Sequence, residues 1–216
     1  NAPKGFGARV AAKLSMVEAR DHFEAQGARD DLVLVSGAFR RLAVALMKIA
    51  NDIRWMGALG EILIPELQPG SSIMPGKVNP VMCEVVTQVA AQVMGNDAAV
   101  AVGGAGGAFE LNVFIPMMTE NALRSARLLD SACRLFAEKC IDGLRANETR
   151  CRELAEKSLM LATALTPVVG YDRAAKVAQE AHRRGVSVRQ VALEQRLITE
   201  PQARELFDLE KMTGEK

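Results

Sequence analysis

After Pro80 the apolar residues come in pairs that return every four positions: Val81 and Met82, Val85 and Val86, Val89 and Ala90, Val93 and Met94. That recurrence keeps one broad face of a helix apolar over about four turns, whereas a strand alternates its faces with a period of two. A helix this apolar needs others to pack against, and the chain supplies them. Over 32–55, Val35, Phe39, Leu42, Leu46, Ile49 and Ile53 fall three or four apart, the spacing of an amphipathic helix. A further helical pattern runs from about position 109 to 139, and Pro116 is expected to bend it rather than end it. Gly103, Gly104, Gly106 and Gly107 are expected to interrupt the chain before it. Aromatics are only 4% of the residues, which suits helices packed through small and flexible side chains.

The fold class is therefore read as all-α, a long-helix bundle followed by a small C-terminal helical domain. The expected division is 1–146 for the bundle and 147–216 for the appendage. In the latter, a helix over 172–184 stops at Gly185, another starts near Ser187, and a last one starts at Thr199. Thr199-Glu200-Pro201-Gln202 has the spacing of a capping box. No internal repeat, low-complexity tract or strand alternation long enough for a sheet is present.

Between the first two long patterns, Pro65, Pro69, Gly70, Pro75, Gly76 and Pro80 forbid a continuous helix over 59–80. Long loops in compact domains are usually functional. The informative part is 70–80, Gly-Ser-Ser-Ile-Met-Pro-Gly-Lys-Val-Asn-Pro, which gathers two hydroxyls, a cation and an amide ahead of a helix that Pro80 is well suited to begin. Lys77, Asn79 and the helix's first amides suit an anionic ligand such as a dicarboxylate. A phosphate-cradling P-loop is the obvious rival, but it requires four residues between its glycines and Ser or Thr after the lysine. Here five intervene and Val78 follows Lys77. From the residues alone, a Gly- and Pro-rich turn whose serines cap a helix stays open beside the functional reading.

Lys and Arg number 27 against 26 Asp and Glu, so no net field draws nucleic acid or an anionic membrane, and neither is an expected partner. Asn96 and Asp97 break the longest apolar stretch, which excludes a membrane-spanning run of about 18 residues. Cys83, Cys133, Cys140 and Cys151 form no C-x-x-C pair and have no His at ligand spacing. Reduced, mostly buried thiols are expected, with no metal and no organic cofactor. A soluble globular protein follows. Arg54 and Arg173 attract attention as carboxylate binders, although helix arginines are more often solvated or ion-paired. His22 and His182 lie among polar residues and read as surface histidines.

The loop also resembles the signature of the fumarase, aspartase and argininosuccinase superfamily, Gly-Ser-Ser-x-Met-Pro-x-Lys-x-Asn-Pro. Neighbouring segments resemble class II fumarases in particular: Asn51-Asp52-Ile53-Arg54-Trp55, Met82-Cys83-Glu84-Val85, Gly95-Asn96-Asp97, Phe109-Glu110-Leu111-Asn112-Val113, Gly170-Tyr171-Asp172 and Ala174-Ala175-Lys176. The similarity runs through the whole chain but over roughly half of a full family member. It implies reversible hydration of fumarate to malate, by elimination chemistry that serves the tricarboxylic acid cycle. Ser71 takes the place of the base that removes a carbon-bound proton, ionised by loop amides together with Lys77. Ser72, Lys77, Val78 and Asn79 match positions that hold the substrate carboxylates, Val78 through its backbone. Glu84 matches the acid that orients a histidine brought by another subunit.

The resemblance further implies a homotetramer with shared active sites, in cytosol or mitochondrial matrix. It also implies that an N-terminal domain with the family's His-Pro-Thr segment and its early substrate-binding regions lies outside these residues, so this chain alone lacks a complete site. The segments between Trp55 and Leu59 and over 14–24 are shorter than usual in the family. Ala105, Gly106 and Ala108 stand where fumarases commonly have Ser, Gln and Asn. The nearest alternative is an aspartate ammonia-lyase or another lyase of the superfamily. A non-catalytic helical scaffold, like lyase relatives recruited as lens crystallins, is the alternative from a different class. Ser71, Lys77 and Asn79 count against it.

Overall fold

Two short helices, α1 (Phe6–Lys13) and α2 (His22–Gly27), lead into three long ones, α3 (Asp30–Leu59), α4 (Val81–Ala105) and α5 (Ile115–Lys139). These are seen in a computed structural model that describes residues 2–214. The 30 residues of α3 make a rod of about 45 Å, with Asp30 and Asp31 in the first turn, where the helix dipole favours negative charge. It runs antiparallel to α4: Ser36 and Arg40 meet Asp97, and Arg54 meets Glu84. α5 returns antiparallel to α4 in turn, Ser125 meeting Asn96. Ala43, Ala90, Val93 and Leu129 form the buried centre, flanked by Phe39, Leu46 and Met94. The small alanines let the three helices approach closely.

Two local expectations for this unit fail. Gly103 and Gly104 do not interrupt the chain but form the last turn of α4, where a Cβ would stand 2.5 Å from Met118 Cγ and 2.6 Å from Val33 Cγ2. They are small to admit neighbouring side chains. The next helix does not begin near 109 and is not bent by Pro116. It begins at Ile115, with Pro116 in the first turn, where the missing N–H has no helical acceptor to lose. Residues 108–114 form a tight turn instead, in which Ala108 and Leu111 exchange backbone hydrogen bonds of 2.8 and 3.1 Å. Asn112 fastens it, donating to Gly103 O at 3.0 Å and accepting from Phe114 N at 2.9 Å.

Ser36, Asn96, Asp97, Asn112 and Ser125 are buried, and each finds a partner. Ser36 Oγ donates to Asp97 Oδ1 at 2.8 Å, and Asn96 Nδ2 donates to Ser125 Oγ at 3.0 Å. Arg40 Nη1 lies 2.9 Å from Asp97 Oδ2. Sliding either neighbour by one turn along α4 would strand these groups without partners, so the polar layer fixes the helix register.

The second unit, described from Arg145 onward, borrows Leu59–Leu63 from earlier in the chain. Strand β1 (Ile62–Leu63) pairs antiparallel with β2 (Arg145–Ala146), a ladder too short for any alternation to announce it. Helices α6 (Glu148–Glu156), α7 (Thr166–Val169), α8 (Tyr171–Arg184), α9 (Val188–Glu194), α10 (Glu200–Leu206) and α11 (Leu209–Met212) follow, with a 3₁₀ segment over Leu159–Leu165. α8 ends at Gly185, Ser187 caps α9, and Thr199 with Gln202 forms the capping box of α10. Thr199 does not start the last helix, since α11 follows, capped by Asp208. The core gathers Leu165, Ala174, Val177, Ala181, Val188, Val191 and Ile198. Arg184 Nη1 bridges α8 to α9 through Glu194 Oε2 at 2.6 Å.

Candidate active site

The 70–80 segment closes on itself at its neck. Gly70 N donates to Lys77 O at 2.9 Å, and Asn79 Nδ2 donates to Gly70 O at 2.9 Å. A Cβ on Gly70 would lie 2.4 Å from Lys77 O and 3.1 Å from Asn79 N, both backbone atoms that cannot rotate away. Glycine is therefore required here for close approach. Gly76 reverses the chain at φ +76°, and Lys77 N donates to Met74 O at 3.3 Å.

Inside this closure Ser71 Oγ accepts from two backbone amides, Ile73 N at 3.1 Å and Met74 N at 3.0 Å. Donors aimed at a hydroxyl oxygen stabilise it more as its negative charge grows, which is the electrostatic requirement for using a serine as a base. The reading in which the serines merely cap the next helix does not describe this chain. Ser71 accepts within its own turn, and α4 starts after Pro80 with no side-chain cap.

Ser72, Lys77 and Val78 are exposed around this turn, and Lys77 Nζ makes no hydrogen bond or ion pair among the described residues. Its charge is uncompensated and open to an anion. Asn79 is half-buried, its amide nitrogen engaged in the neck. Its backbone carbonyl accepts from Val81 N at 2.8 Å, so that first helical amide is turned inward rather than to a ligand. Glu84 sits in the first turn of α4, its Oε1 lying 3.7 Å from Arg54 Nη2. Arg54 is thus ion-paired, a partner that charge counting along the sequence could not identify.

The remaining residues singled out from the sequence lie apart from this cluster. His22 is exposed and lies 3.2 Å from Glu18 Oε1; His182 is exposed in the last turn of α8. Arg173 is exposed and makes no ion pair among the described residues. Cys83, beside Glu84, is fully buried, and its thiol is pushed up to about 12 by burial first and by neighbouring Cys140 second. It stays a protonated, poorly nucleophilic thiol. All four cysteines are free. Among the described residues no group of three or more His, Cys, Asp or Glu is placed to hold a metal ion, and no helix is long and apolar enough to cross a membrane.

Residues 1–95 match the family described as "Lyase", and residues 161–214 match "Fumarase C C-terminus". Over 210 residues the chain is 56% identical to the class II fumarate hydratase of Mycobacterium tuberculosis, covering 92% of this chain and 44% of that protein. Its fold matches a class II fumarase from Schistosoma mansoni with a TM-score of 0.89 at 34% identity, over 95% of this chain and 48% of that one. A fumarate lyase:delta crystallin from Brucella melitensis gives the same TM-score of 0.89 at 43% identity, over 98% of this chain and 48% of its own. The chain spans less than half the length of each of these relatives. With both family models matched and the all-helical architecture shared, this chain belongs to the fumarase/aspartase lyase superfamily.

Proposed function

We propose that this chain is the signature-loop and C-terminal portion of a fumarate hydratase, catalysing the reversible hydration of fumarate to (S)-malate. The observation that carries the reading is the Ser71 hydroxyl oxygen held by two backbone amides in a loop whose only cation, Lys77, is unpaired among the described residues. The curated relative at 56% identity carries the same activity in its name.

In the dehydration direction, ionised Ser71 takes the proton from the malate carbon next to a carboxylate. The C–H electron pair moves into that carboxylate, giving a doubly charged aci-carboxylate. Lys77 and Asn79, with Ser72 and the Val78 backbone, hold the carboxylates and stabilise the added charge as it forms. Collapse of the intermediate then forms the carbon–carbon double bond and expels the hydroxyl of the adjacent carbon, which leaves as water after taking a proton from an imidazole. Glu84 orients that imidazole, contributed by a partner subunit, through its carboxylate. No step calls for a metal or organic cofactor. The assembly is a homotetramer in cytosol or mitochondrial matrix. Supporting it, Leu34, Val44, Ile49 and Trp55 remain exposed along α3, an apolar surface suited to burial between helices of neighbouring copies.

The test is ultraviolet absorbance of fumarate during incubation of the intact enzyme with malate, beside its Ser71→Ala variant and with aspartate as the competing substrate. Fumarate from malate, slowed by about 10²- to 10⁴-fold in the variant, is expected for loss of a positioned base. Turnover of aspartate alone, or a Ser71→Ala enzyme as fast as wild type, overturns the reading.

A further inference from the structure

We infer that Arg54 is a positioning residue for this site, a tether on α3 that holds the Glu84 carboxylate in the orientation its imidazole partner requires. The inference rests on the hydratase reading. The antiparallel packing of α3 on α4 carries Arg54, near the end of α3, to the first turn of α4. There Arg54 Nη2 lies 3.7 Å from Glu84 Oε1. At that distance the contact is an ion pair and not a hydrogen bond, so the carboxylate keeps acceptor capacity for a second donor. Ile53, adjacent in sequence, is buried and sets the rotation of α3 at this point. Asp52, two residues earlier on α3, faces another way and is paired with Lys48. The same charge lies near enough to the buried Cys83 thiol to oppose part of the upward push of burial.

Both side chains are substantially exposed, 51% for Arg54 and 36% for Glu84, so the pair adds little to stability. Its effect is on geometry. A glutamate has three rotatable side-chain bonds, and an anchored Oε1 removes most of the orientations in which Oε2 would miss an incoming N–H. A single contact at this distance needs a positive charge but not a planar fork, so lysine should substitute for arginine here.

The experiment uses the intact enzyme as wild type, Arg54→Ala, Arg54→Lys, Glu84→Gln and the Arg54→Ala/Glu84→Gln double variant. Arg134→Ala, in a separate exposed ion pair with Asp130 on α5, serves as the unaffected control. Initial rates are taken over a range of malate concentrations, with thermal unfolding recorded in parallel. Arg54→Ala is expected to lower kcat by about threefold to tenfold with KM and unfolding temperature unchanged, as for loss of one exposed charged contact. Arg54→Lys should stay within about twofold of wild type, since the charge is retained. In the Glu84→Gln background the alanine substitution should have no further effect, because a tether without its carboxylate has nothing to orient. An unchanged kcat in Arg54→Ala, a raised KM at constant kcat, a lysine variant as slow as alanine, or additive losses in the double variant would each overturn the role. A wild-type enzyme that does not turn over malate would instead overturn the hydratase reading on which the role is built.

Discussion

Replacing Gly70 by alanine tests whether the closed neck of the loop is what arms Ser71. The new Cβ would stand 2.4 Å from Lys77 O, about an ångström inside ordinary contact, and the obstacle is backbone on both sides. Relief requires the two limbs of the neck to part by about that much. The Gly70 N–Lys77 O bond, 2.9 Å long, and the Asn79 Nδ2–Gly70 O bond, also 2.9 Å, would then be lost. At about 1 kcal/mol each, their loss lowers the equilibrium constant for closing the loop by about 30-fold. Malate turnover by the intact Gly70→Ala enzyme should show kcat/KM reduced by up to about that factor, followed as fumarate absorbance. The loop is largely exposed and the buried helical centre lies elsewhere, so thermal unfolding should hardly change. A Gly70→Ala enzyme with wild-type kcat/KM would refute the reasoning, since the amides on Ser71 would then not depend on the neck.

Two further outcomes concern the frame rather than the loop. Ser36→Ala removes the donor to buried Asp97 Oδ1 and is expected to destabilise the protein by about 1–3 kcal/mol, read as a lower midpoint in urea unfolding with malate KM unchanged. Glu194 is held below the usual carboxylate range, first by the hydrogen bond from Arg184 and then by that from Gln190. A depressed carboxyl stabilises the fold above its unfolded value and loses that contribution as pH falls through the depressed folded value. The stability gap between wild type and Glu194→Gln, from unfolding curves, should therefore be present at neutral pH and close on acidification below that range.

The long helices were legible because their evidence is local and repeated: four-residue apolar returns in α4 and three- and four-residue spacing in α3 demand that geometry whatever they pack against. The helix start near Ser187, the capping box at Thr199 and the stop at Gly185 were legible for the same reason, each resting on contacts within one turn. Pro116 misled because proline is tolerated both at a helix start and at a bend, and only the turn pinned by Asn112 to Gly103 O decides between them. The two-residue β1–β2 ladder joins positions far apart in sequence and leaves no periodicity to read.

At the candidate site, sequence alone determined the inventory, since the order of glycines, serines, lysine and asparagine in 70–80 is a property of the chain. Tertiary structure decided which members act on one another. Asn79 closes the neck, Lys77 stays open, and Glu84 acquires Arg54 from a helix whose position relative to α4 is set by Asp97 and its partners. Backbone direction and helix register are fixed by packing between distant segments, and no local pattern encodes a distance across them.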